Sequence, residues 1–253
     1  MAKRSRGFGV DIGGTGMKGA PVDLEAGEFA KERVRIPTPD PSTPQAVAAV
    51  VAEIVGEFGT DVDGCPIGVT VPAVVKDNVV RTAANIDPSW VGTDADTLFD
   101  KVLERDVFVV NDADAAGVAE ARYGAARDAS GLVLMTTLGT GIGTALLYNG
   151  ELIPNSELGH IEIDGHDAED AAAARQREEE DLSWADWAAR LQRYYATIED
   201  LLWPDLIVVG GGVSKKAEHF LPLLHLRAPI VAAQLQNTAG VIGAAVVAAE
   251  RAR

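Results

Sequence analysis

With 253 residues, 47% of them hydrophobic, the chain is long enough for two compact lobes with cores of their own. Its 38 acidic against 22 basic residues leave a formal net charge of −16, which excludes a general nucleic-acid surface, since phosphate backbones are held by broad basic patches. No apolar run reaches membrane length, and one cysteine, Cys65, excludes both an internal disulfide framework and a cysteine-built metal site.

The first residues, Met1 to Gly7, read as a basic tail without an apolar signal region, so the expected address is the cytoplasm, away from membranes. Phe8–Ile12 and Met17–Val22 then read as strands on either side of Gly13-Gly14-Thr15-Gly16. Glycines at such a tip let backbone N–H groups approach an anion without interference from side chains. Asp11, at the end of the first strand, is placed to hold a metal-bound water, and Lys18 adds a cation beyond the tip. This is not a P-loop, because no Gly-Lys-Ser/Thr follows and the chain continues as strand. Taken alone, the tip describes a plain hairpin equally well.

A third strand is expected over Lys31–Ile36, after a turn at Ala26-Gly27-Glu28. Pro37, Pro39, Pro41 and Pro44 punctuate a loop, with Thr43 as the cap and Pro44 as the first residue of a helix running through Ala46–Phe58. Cys65–Val71 reads as a buried strand and Val74–Val80 as a strand pair. Asp106–Val110 is another apolar run; it stops at Asn111-Asp112, and a helix of small residues over Ala113–Tyr123 follows.

Leu132–Leu138 and Thr144–Tyr148 flank a second tip, Gly139-Thr140-Gly141-Ile142-Gly143. The spacing brushes against a dinucleotide fingerprint, but that site needs a helix after the turn. Here strand and an Asn149-Gly150 turn follow, so the reading is a second phosphate-gripping hairpin. Asp167–Asp181 reads as an exposed, charged helix and loop, and Trp184–Leu202 as a long amphipathic helix. Asp205–Val209 is a strand leading to a third bend, Gly210-Gly211-Gly212-Val213-Ser214-Lys215-Lys216. With Ser214 as cap of a helix reaching Leu224, this bend is either an anion site or an ordinary strand–helix turn. Thr238–Arg253 closes the chain as a small-residue helix. A strand-turn-strand opening with a following helix in each half predicts two related α/β lobes, a small one of 1–111 with 239–253 and a larger one of 112–238.

Two clusters carry chemistry. Asn111-Asp112 ends a strand where a helix begins, and ligands of open α/β sheets collect at such ends. Asp112 suits a base that takes a proton from a hydroxyl and Asn111 a hydrogen-bonding clamp, although Asn-Asp is also an ordinary capping pair. Glu157, His160 and Glu162 lie close together and suit the reading of several sugar hydroxyls. One His with no usable Cys does not make a closed zinc site, and His166, His219 and His225 read as surface or structural.

With these pieces in place, the chain resembles the ROK family of sugar kinases over essentially its whole length. Gly139-Thr140-Gly141-Ile142-Gly143 with Glu157-Leu158-Gly159-His160 is similar to the family signature. Asp181-Leu182-Ser183-Trp184 with Trp187, then Trp203-Pro204-Asp205 into the third bend, look most like the polyphosphate glucokinase branch. The resemblance implies an α/β, actin-like or hexokinase-type fold of two lobes with a cleft between them. It implies transfer of a phosphoryl group from inorganic polyphosphate, or ATP, to the 6-hydroxyl of glucose. Asp11, Gly13, Gly14, Thr15, Lys18, Thr140 and Gly141 would grip the donor, alongside Gly211, Gly212, Ser214 and Lys215 of the third bend. Asp112 would be the base, and Asn85, Asn111, Glu157, His160 and Glu162 would hold the sugar. Mg2+ is expected, with Asp11 reaching it through water, and a homodimer is a family expectation. Many members carry a Cys-rich zinc loop after the Gly-His, but Ile161–Asp181 holds no cysteine and no structural zinc is expected. Pro72-Ala73 stands where many have Pro-Gly, which leaves the sugar contact there undefined.

Polyphosphate needs cationic anchors beyond the phosphate being cleaved, and the candidates are Lys18, Lys215, Lys216, Arg193 and Arg227. The rivals are a strictly ATP-dependent kinase of glucose or mannose, a silent sugar sensor, and a sugar-responsive repressor. The last needs a DNA-reading domain ahead of the first tip, which begins about ten residues in and is not expected to leave room for one.

Overall fold

A computed structural model describes residues 5–252; the start of the basic tail and the final residue expected in the last helix lie outside the described residues. The chain forms two compact units, divided between Ala119 and Glu120 and again between Asn237 and Thr238.

In the first unit, β1 (Arg6–Ile12) and β2 (Met17–Asp23) pair antiparallel, with Asp11 opposite Lys18. β3 (Glu28–Phe29) and β4 (Val34–Ile36) both pair with β2, so only the last three residues of the expected Lys31–Ile36 strand are extended, and Arg35 lies opposite Lys18. α1 (Pro44–Gly56) starts as its sequence demands: Pro44 supplies no N–H, and the Thr43 side chain accepts from Ala46 N. β5 (Ile67–Val71) is parallel to β1 and buried at every position. That burial explains its unbroken apolar run, since a strand covered on both faces has no solvent side. A small hairpin of β6 (Val75–Lys76) and β7 (Val79–Val80) follows, then α2 (Ala95–Leu103), which the sequence reading did not include. Asp94 caps α2 by accepting from Thr97 N, and Phe99 packs beside Trp90 in the core. β8 (Val107–Asn111) adds parallel to β5 and runs straight into α3 (Asp112–Tyr123). The sheet order is β3-β2-β1-β5-β8.

The second unit repeats this plan. β9 (Leu132–Leu138) and β10 (Ile142–Tyr148) pair antiparallel, and β10 turns into β11 (Glu151–Ile153) at Asn149-Gly150, both with positive φ (52° and 82°) as a tight hairpin turn requires. A short hairpin, β12 (Glu162–Ile163) and β13 (His166–Asp167), leads to α4 (Ala168–Ala172) and α5 (Ala174–Glu179). The expectation of an exposed segment over 167–181 is corrected here: Ala168, Ala172, Ala173 and Ala174 are buried in the second core, while residues such as Asp170, Ala171, Glu178 and Glu179 face solvent. α6 (Trp184–Leu202) places Trp187, Leu191, Tyr194, Tyr195 and Ile198 on one buried stripe. Each such side chain contributes roughly 1.5–3 kcal/mol of burial. Two of the polar tips are matched: Trp187 Nε1 donates to Ala172 O, and Tyr195 OH bonds Thr136 Oγ1 at 2.8 Å, whereas the buried Tyr194 OH has no hydrogen-bond partner among the described residues. β14 (Leu206–Gly210) and β15 (Ile230–Ala232) complete the sheet in parallel to β9, giving the order β11-β10-β9-β14-β15. Buried Glu120 ties the start of this unit to its end, accepting from the backbone N–H groups of Ala125, Gln234 and Leu235.

The last helix, α7 (Ala239–Arg251), belongs to the first unit and lies directly on β1 and β5. The strands carry glycine where it crosses: an added Cβ at Gly9 or Gly68 would stand 1.9 and 2.0 Å from the carbonyl oxygens of Val241 and Ala244. An all-small face on the helix and two bare positions on the sheet bring the backbones into contact.

Candidate active site

At the first bend, the β1–β2 register brings Asp11 Oδ2 within 3.6 Å of Lys18 Nζ. Thr70, buried on β5, donates to Asp11 Oδ1 at 3.0 Å and accepts from Ile12 N, which fixes the carboxylate just below the tip. Gly14 and Thr15 are exposed at the tip itself. Two residues that the sequence reading passed over support it from the β4 side. Thr38 Oγ1 donates to Gly13 O, and the Arg35 guanidinium lies where a side chain at Gly16 would stand, donating to Thr15 O at 3.3 Å. The signal for Arg35 was its register opposite Lys18, which no local pattern reveals.

Asp112 is the first residue of α3 and is partly exposed, its Oδ1 accepting from Ala113 N at 2.9 Å. Asn111 is buried: Oδ1 accepts from Asp114 N at 3.0 Å, and Nδ2 donates to Ala73 O at 3.1 Å. The expected sugar clamp is therefore first a helix cap that fixes where Asp112 stands, which is the capping role its sequence context left open. Asn85 is exposed in the bend at residues 84–86.

In the second unit, two bends meet. Leu138, Gly139 and Thr140 of the second and Gly212 and Val213 of the third line one cavity of about 300 Å³. Gly211 has φ 81°, and a Cβ there would stand 2.2 Å from Leu138 O, so this approach requires glycine. Arg175 N donates to Gly139 O, seating the start of α5 against the second bend. After the third bend the chain forms 3-10 turns, Gly212–His219 and Leu221–Leu223, in place of the expected α-helix. Ser214 is consequently not the cap: it is buried inside the first of these turns, its Oγ donating to Gly211 O at 2.7 Å. Lys216, not Lys215, lines the cavity.

The group around His160 is built by β10. Thr144, buried on that strand, donates to Ser156 O and accepts from Leu158 N, which holds the loop carrying Glu157. His160 Nε2 lies 3.7 Å from Glu157 Oε2, while Nδ1 bonds Asp167 Oδ2 at 2.9 Å and stands 4.0 Å from Glu169 Oε1. Partial burial works against the charged imidazole, but the Asp167 hydrogen bond and the Glu169, Asp167 and Glu157 carboxylates outweigh it and raise its pKa. Burial, set against attraction to His160, raises that of Glu157. Asp167 and Glu169 were missed in the sequence, where they sit in a charged run; Glu169 Oε2 also accepts from Ile142 N beside the second bend. Glu162 is exposed on β12 and is not one of the carboxylates gathered around His160.

Two proposed anchors are already engaged elsewhere. Arg193 pairs with Asp164 through two nitrogens, at 3.1 and 2.8 Å. Arg227 pairs with Asp200 at 2.8 Å and Glu199 at 3.4 Å and stacks on Trp203. Among the described residues, no group of three or more His, Cys, Asp and Glu is arranged to hold a metal ion.

The ROK family model matches residues 7–179, well over half of the chain. The chain is 50% identical over 240 residues to a polyphosphate glucokinase of Mycobacterium tuberculosis, covering 94% of this chain and 89% of that protein. The crystal structure of an inorganic polyphosphate/ATP-glucomannokinase from Arthrobacter sp. strain KM superposes with a TM-score of 0.93 at 51% identity, over 98% of this chain and all of that one. A ROK family glucokinase from Streptomyces griseus, in complex with glucose and AMPPNP, gives a TM-score of 0.83 at 25% identity, over 97% and 99% of the two chains. The fold is thus the α/β, actin-like fold of hexokinase type, and the chain belongs to the ROK family.

Proposed function

We propose that this protein is a glucokinase that transfers a phosphoryl group from inorganic polyphosphate, or from ATP, to the 6-hydroxyl of glucose, giving glucose 6-phosphate. The observation that carries the reading is the meeting of two glycine bends on one cation-lined cavity, in a chain half identical to a polyphosphate glucokinase.

Phosphoryl transfer asks little covalent chemistry of a protein; it asks for alignment, charge neutralisation and a proton acceptor. Asp112 takes the proton of the sugar hydroxyl, and Asn111 acts by holding the first turn of α3 in place. Glu157 and His160 hold the sugar ring, joined by Asp167 and Glu169; Asn85 and Glu162 are assigned peripheral sugar contacts. The backbone N–H groups of Gly13, Gly14, Thr15, Thr140, Gly141, Gly211 and Gly212 hold the donor's phosphates, with Lys18 and Lys215 as flanking charges. Ser214 contributes by bracing the third bend.

A lone carboxylate such as Asp11 fits Mg2+, which keeps most of its waters and takes its other ligands from substrate phosphates. Bound there through water, the ion would neutralise charge on the transferring group. We also place the protein in the cytoplasm as a homodimer. The apolar stripe of α6 is buried within its own unit, so only Leu201 and Trp203, exposed at its end, favour self-association.

Initial rates on glucose and on mannose, each with long-chain polyphosphate and with ATP, test the reading. Glucose 6-phosphate should form with polyphosphate. Failure to phosphorylate glucose with either donor would overturn the proposal, and a hundredfold preference for ATP would reduce it to an ATP-dependent glucokinase.

A further inference from the structure

The cavity shared by the second and third bends is walled by Lys216, already a candidate anchor, and by arginines that no role above uses. Arg175, Arg177 and Lys216 line it, against one acidic residue, Glu178, and Trp184 stands among them. In a chain of net charge −16, this is a local excess of cations. We propose that the cavity seats the distal phosphates of a polyphosphate chain, held by Arg177, Lys216 and Arg175, and that it is not built to stack an adenine ring. The assignment rests on the phosphotransferase reading and specifies its donor.

Three features carry it. Arg177 Nε is buried and has no hydrogen-bond partner among the described residues, so a donor stands unmatched in the cavity wall. Such a group is costly unless something binds it. Among the described residues, neither Arg177 nor Lys216 forms an ion pair, unlike Arg190, Arg193 and Arg227 on the same unit. Arg175 has only a long contact to Glu179, at 3.8 Å. Trp184, the aromatic side chain lining the cavity, has no face to offer. The Arg177 guanidinium carbon sits 3.7 Å above its centroid. That distance leaves no space for a second parallel group on the same side, and His219 and Phe220 also stack on the indole, at 5.2 Å and 17° and at 6.0 Å and 15°. A base could not displace them without losing a cation–π contact and a ring contact. Phosphate oxygens need neither face, because guanidinium and ammonium N–H groups and the bare amides of the bends suit them directly.

The test compares wild type with R177Q, K216Q and R177K in two measurements. One is the ratio of kcat/KM on glucose with long-chain polyphosphate to that with ATP. The other is quenching of tryptophan fluorescence by polyphosphate in the absence of glucose. R177Q and K216Q should each lower the ratio by about tenfold or more, with R177K between them and wild type, and quenching should weaken in parallel. Equal losses with both donors, or an unchanged ratio, overturn the assignment. A wild type that uses ATP alone and shows no quenching also overturns it, while leaving the kinase reading intact. A wild type that turns over glucose with neither donor, yet shows Arg177-dependent quenching, sinks the kinase reading and leaves the cavity assigned.

Discussion

The two units share one sheet order: an antiparallel hairpin carries the bend, and two parallel strands follow on its far side. What differs is the chemistry at the strand ends. Two residues ahead of the first bend stands Asp11, tied to Thr70 and Lys18; two residues ahead of the second stands Thr137. The last parallel strand of the first unit ends in Asn111-Asp112, whereas β15 runs on into Ala233. The second unit instead surrounds its bends with arginines, a lysine and the His160 cluster. A repeated scaffold thus carries different side chains at equivalent places, with Asp11, Asn111 and Asp112 by the strand ends of one copy and arginines, a lysine and the His160 cluster around the bends of the other.

The largest break in this division should come from Asp112→Asn, which leaves the α3 cap intact. We expect turnover on glucose to fall ~10²–10⁴-fold, the size of a general-base contribution, with thermal unfolding little changed. Near-normal turnover would remove Asp112 from the chemistry. A matched pair sharpens the asymmetry further. Asp11→Asn should cost roughly 10–100-fold in activity and raise the Mg2+ concentration needed for half-maximal rate, as loss of a water-mediated metal contact does. Thr137→Val, at the counterpart position, should change the rate by less than about threefold. Equal losses in the two variants would erase the distinction between the bends.

The smallest effect concerns the titrating cluster around His160 in the second unit. The raised pKa of His160 means that its carboxylate partners stabilise the folded state most when the ring is charged. That contribution is complete below the unfolded value of about 6.5 and is lost as pH rises through the raised folded value. The gap in melting temperature between wild type and His160→Gln should therefore narrow between about pH 5.5 and pH 8.5. Since the ring is about a third exposed, the change should be on the order of 1 °C. A gap independent of pH would rule out the charged cluster.

Much of this was legible before any coordinates. Trp184–Leu202 was readable because a 3.6-residue apolar period persists over five turns, and the cap of α1 because Thr43-Pro44 has one local meaning. The bends were readable as glycine runs between apolar strands. α2 was not, because nine residues, three of them charged, carry too short a period. Nor was the fate of the alanines at 168–174, which look alike on a charged background until α6 selects the face to bury. Arg35, Asp167 and Glu169 reach the site by strand register and a hairpin turn, links between residues far from any recognisable motif.

The placement of α7 has a consequence for how the chain is made. Residues 120–237 form a continuous segment and have every strand of their sheet once Ala232 is synthesised. The first sheet, although translated earlier, lacks the helix that covers Gly9 and Gly68 until residues 239–251 have been made. On the ribosome, the half of the molecule that emerges first is thus the half that must wait.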